Sequence, residues 1–141
     1  MTWGFHHPTK INFVMMKNFL FSYYRSLLVF LIIFFASTIP AEEVQKVTWF
    51  TIPNLDKMIH LGMYFLFSSV LIFEMLKVKT SYSFQRILIV SGLIALIYGT
   101  LLEIIQITLT SSRSGEIFDM VFNAVGVLLA IVLWIFLRKP K

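Results

Sequence analysis

Residues 98–126 read YGTLLEIIQITLTSSRSGEIFDMVFNAVG: an apolar run carrying Glu103 and Gln106, a short Ser-rich turn with Arg113, and a second apolar run opening on Asp119 and Asn123. Apolar runs of about 20 residues are what a bilayer-crossing helix needs, and an ionisable side chain near the centre of one costs roughly 2.5 to 3.5 kcal/mol on insertion scales. A hairpin that places Glu103, Asp119 and Asn123 in such runs needs partners for them, or a function. These residues are the first candidates for the site.

The rest of the chain has the same character. It has 141 residues, 58% hydrophobic and 13% charged, with mean hydropathy +0.84. Soluble domains carry charged residues at about 25%, so the composition is that of an integral membrane protein. The net charge of +5 does not indicate nucleic acid, because the basic residues lie between apolar runs instead of along one face. The absence of cysteine excludes disulfides, thiolate chemistry and a lipoprotein anchor.

Four runs are long enough to span: about 19–39, 58–76, 87–109 and 117–137. The predicted fold is an all-α, four-transmembrane-helix antiparallel bundle preceded by residues 1–18 and followed by a short tail, 138–141. Residues 1–17 are expected to lack order. Met16 opens a conventional membrane-protein start, MKNFLFSYYRSLLVFLIIFF, so Met1 and Met16 are both candidate starts. A signal peptide is the competing reading of the first run, but Ile39 and Ala41 make a poor small-x-small cleavage motif. Nine cations (Lys10, Lys17, Arg25, Lys77, Lys79, Arg86, Arg138, Lys139 and Lys141) fall on one set of connections and three (Lys46, Lys57 and Arg113) on the other. Basic residues are retained in the cytoplasm, which puts both termini there. Trp49 and Phe50, between the first two runs, then suit an outer interfacial segment.

In that topology Asp56, Lys57 and His60 open the second span on the outer side, where Glu103 and Gln106 end the third and Asp119 and Asn123 open the fourth. Residues three or four apart share a helix face, so each group forms one polar patch. With Arg113 in the loop, the candidate ligand-binding set is Asp56, Lys57, His60, Glu103, Gln106, Arg113, Asp119 and Asn123. Gly92, Ala95 and Gly99 line the third span and Gly126 the fourth, and small residues at that spacing let these two helices pack closely. Plainer roles exist for the same residues. Asp56 and Asp119 suit helix starts, Lys57 can snorkel, and Glu103 with Arg113 or Lys57 can be a structural ion pair. His60, Glu103 and Asp119 offer a mixed nitrogen and oxygen set, yet no tight ligand spacing marks a metal site; neither metal nor cofactor is expected.

The elements DKMIH (56–60), LLEIIQ (101–106), Arg113 and DMVFNAVG (119–126) together resemble the VanZ-like family of small bacterial membrane proteins. The resemblance implies a polytopic envelope protein, and the family's namesake is associated with teicoplanin resistance. The turn reads TSS where many relatives have a proline, and Ala130 stands where a second glycine is common. Three functions compete. The first is binding of membrane lipids, a cell-wall lipid precursor or a glycopeptide antibiotic at the outer polar cluster. The second is an enzyme acting on such a lipid, with Glu103 or Asp119 as base, His60 as acid or base, Arg113 on a phosphate, and Ser111, Ser112 or Ser114 as a weak nucleophile candidate. The third is a structural subunit in which the cluster fixes helix register.

Overall fold

The computed structural model describes residues 9–38, 55–78, 82–109 and 117–138, and every element among them is helical. These are α1 (Thr9–Ser22), α2 (Tyr24–Thr38), α3 (Leu55–Lys77), α4 (Phe84–Leu109) and α5 (Ile117–Leu137). At 1.5 Å per residue, α3, α4 and α5 are about 34, 39 and 31 Å long, enough for a hydrocarbon core of about 30 Å. The three are long and apolar enough to cross a membrane. A fourth crossing arises only if α1 and α2 are taken together, and they are bent by 71°. The expected single first span is therefore an elbow at Tyr23, and the segment expected to lack order is helical from Thr9.

The elbow has a local cause. A continuous helix would return the Arg25 and Ser26 amides to carbonyls one turn back. Here both donate to Glu74 of α3, at 3.0 Å each, and Ser26 Oγ donates to the same carboxylate at 2.6 Å. Helix starts leave backbone N–H groups without acceptors, and an anion there is favoured by the dipole, so Glu74 caps α2 from a neighbouring helix. The opposite end of α2 is tied in the complementary sense. Gln106 Nε2 of α4 donates to the Ser37 carbonyl at 2.9 Å, and midway Tyr98 Oη donates to the Phe30 carbonyl at 2.7 Å.

Helices α3 and α5 form the most extensive packing pair, with α4 against both. The pair is close because Gly126 allows it: a Cβ there would collide with the Leu61 carbonyl oxygen. The small-residue stripes thus do not simply face each other. Gly126 meets the α3 backbone and Gly99 the Tyr64 ring of α3, while Gly92 faces Val127 and Ile131 of α5. Ala95 and Ala130 are fully buried. One apolar layer joins Ile33, Tyr64, Phe67, Tyr98 and Val127. A second, towards the elbow, joins Leu71, Ile72, Met75, Ile87 and Leu88. The outward surfaces carry large apolar side chains such as Ile97, Leu128 and Phe136, as a lipid-facing bundle requires.

The two ends differ in charge. Around the elbow, Arg25 and Lys77 both lie over the Phe73 ring, Arg86 over Tyr82 and Arg138 over Phe84. The other end holds Asp56, His60, Glu103 and Asp119, with Lys57 over the Phe118 ring.

Candidate functional site

Asp56 and His60 stand one helical turn apart near the start of α3, so both project from one face. Asp119 and Asn123 do the same at the start of α5. The close α3–α5 contact at Gly126, less than one turn beyond Asn123, presses these faces together, and α4 contributes Glu103 from the side.

His60 is the hub and is buried. Its Nδ1 lies 3.0 Å from Asn123 Oδ1 and 3.6 Å from Glu103 Oε1, while Nε2 faces Asp56 Oδ1 at 4.0 Å. With the ring proton on Nδ1, that N–H donates to Asn123 Oδ1 and Nε2 is the nitrogen that faces Asp56. Glu103, Asp119 and Asn123 are buried with it, whereas the Asp56 side chain is 52% exposed and forms the rim. Asn123 Nδ2 is buried without a hydrogen-bond partner.

One ligand atom each from Asp56, His60 and Asp119 lies within 4.8 Å of the others. These are therefore the residues that could hold a metal ion, a different trio from the His60, Glu103 and Asp119 that composition alone offers. Chemically the cluster is rich in acceptors: three carboxylates and an amide oxygen surround one imidazole. It suits hydroxyl, ammonium or cationic guests, and an imidazole between carboxylates can relay a proton.

The remaining candidates are Gln106, Lys57 and Arg113. Gln106 is buried, and its amide nitrogen serves the end of α2. The Lys57 ammonium lies over the Phe118 ring at 5.5 Å. Arg113, with the 111–116 turn and the 41–54 connection, is outside the described residues.

A family model described as VanZ/LLP1 matches residues 20–138. The chain belongs to the VanZ/LLP1 family. The match takes in α2 to α5, and with them both the cluster and the Glu74 cap. No curated protein and no solved structure matches this VanZ/LLP1 chain.

Glu74 is the polar residue that sequence reasoning misses. It lies three residues before Lys77 at the end of an apolar run, and its partner Ser26 is 48 residues earlier. A carboxylate so near a membrane interface looks unremarkable by position. The available signal was its apolar setting, LIFEML, together with a serine in the preceding run. An apolar cavity of about 270 Å³ lies beside this cap, bounded by Tyr23, Phe30, Phe67 and Met75.

Proposed function

We propose that this VanZ/LLP1 protein sits in the bacterial cytoplasmic membrane with both termini inside. There it binds the polar head of an amphiphile, a cell-wall lipid precursor or a glycopeptide-type antibiotic, at the His60 cluster. One observation carries the reading: a half-exposed rim carboxylate, Asp56, leads to buried polar groups delivered by three helices. Buried polar groups in a bundle this small are costly unless they are used, and here their oxygens match the hydroxyl and amino groups of sugar-bearing headgroups. Asn123 Nδ2 adds a donor for an acceptor on the guest.

Native mass spectrometry of the detergent-solubilised protein tests this. The wild type should retain a co-purified amphiphile. Glu103→Gln keeps the side chain's shape, eases its burial, and should lose the adduct at an unchanged folded level. An adduct retained equally by Glu103→Gln and Asn123→Ala would place the ligand elsewhere. A wild type that retains no amphiphile, with Glu103→Gln markedly less stable, would instead favour the register-fixing role.

A further inference from the structure

We propose that Asp56, His60 and Asp119 form a binding site for one divalent transition-metal ion, zinc or manganese. The proposal shares residues with the headgroup reading but does not depend on any amphiphile being bound. Two carboxylates and an imidazole are a mixed oxygen and nitrogen donor set, to which both ions are suited. Metal–ligand bonds of about 2.0 to 2.2 Å put tetrahedral donors roughly 3.4 Å apart. The three donor atoms already lie within 4.8 Å of one another, with Asp56 half-exposed at the rim.

The surroundings suit the ion as well. His60 Nδ1 is held by Asn123 Oδ1 at 3.0 Å, with Glu103 Oε1 at 3.6 Å, which leaves Nε2 as the coordinating nitrogen. Metal-bound histidines are oriented in this way, by an oxygen acceptor on the opposite ring nitrogen. The ion would also neutralise part of a carboxylate cluster buried at the end of a membrane bundle. Asn123 Nδ2, 2% exposed as a residue and without a hydrogen-bond partner, needs an acceptor oxygen beside the cluster. Three protein ligands leave a coordination position open, as in sites where a metal receives an exogenous oxygen.

The test uses full-length protein in detergent, stripped of lipid and chelator-treated, titrated with Zn²⁺ or Mn²⁺ alone and followed by calorimetry. Co²⁺ is read separately by its visible absorption. One ion per chain is expected. Asn123→Ala should weaken binding by about 10- to 100-fold, as loss of an orienting partner does. Asp56→Asn and Asp119→Asn should weaken it further and abolish the cobalt spectrum. Asp56 is at the rim, so its variant tests the site without disturbing the core. No uptake by the stripped wild type, or wild-type affinity in both aspartate variants, would overturn the proposal. Metal uptake without any retained amphiphile would sustain it while removing the headgroup reading. An amphiphile retained by a protein that takes up no metal would do the reverse.

Discussion

Glu74 illustrates how one residue can direct the backbone of a neighbouring helix. Its carboxylate accepts from two α2 amides and the Ser26 hydroxyl while 3% exposed. Truncation to alanine would leave the buried Ser26 amide and the part-buried Arg25 amide without this acceptor, at a cost of about 1 to 3 kcal/mol. Glu74→Ala should therefore lower the thermal midpoint in detergent clearly, and Ser26→Ala, which loses only the hydroxyl bond, by less. Equal midpoints for wild type and Glu74→Ala would show that the cap contributes nothing. The carboxylate at the opposite end of the bundle, Glu103, faces a side chain, His60. Similar residues in similar apolar runs thus have different roles, and only the partner distinguishes them. Sequence reveals that a buried carboxylate needs a partner; it does not reveal which helix supplies one.

At the level of elements, glycine makes a sharper test. Gly126 abuts the α3 backbone, so Gly126→Ala forces α3 and α5 apart and should destabilise by about 1 to 3 kcal/mol, as overpacking does. Gly62 is the control within the same bundle. Its added Cβ meets nothing within 4 Å, and Gly62→Ala should be neutral or stabilise by up to about 1 kcal/mol. Thermal melts of the two variants should move in opposite directions or at least separate clearly. The lengths of α3, α4 and α5 were legible from run length and hydropathy, because a membrane helix is set by the bilayer it must cross. The elbow was not, since α2's break at Tyr23 contains neither proline nor glycine and depends on a carboxylate donated by α3. The i, i+4 spacings Asp56–His60 and Asp119–Asn123 were equally legible. That α5 would press against α3 more than against α4 was not, because small residues mark a close approach without naming the neighbour.

Across the whole molecule, Arg25, Lys77 and Arg138 lie over aromatic rings around the elbow, where Glu74 caps α2, while Asp56, Glu103 and Asp119 share the far end with Lys57. Aromatic faces hold cations at an interface, and retention of basic residues in the cytoplasm would put the elbow inside. The protein has no cysteine, so single replacements report cleanly. Ser83→Cys and Ser112→Cys, treated in intact cells with an impermeant thiol reagent, should label only at position 112. Labelling at position 83 alone would invert the orientation.

The elbow also affects the lipid around it. Helix α2, at 15 residues, reaches about 22 Å, and at 71° the preceding helix adds only about a third of its own length in that direction. Among the described residues, the α2 flank of the bundle is therefore shorter than the flanks built by α4 and α5. Lipids there must shorten or tilt, at a fraction of a kcal/mol per Å of mismatch. The surrounding leaflet should dimple on the α2 side, drawing polar headgroups down towards that flank, and bilayers of short-chain lipids should favour the folded protein over long-chain ones.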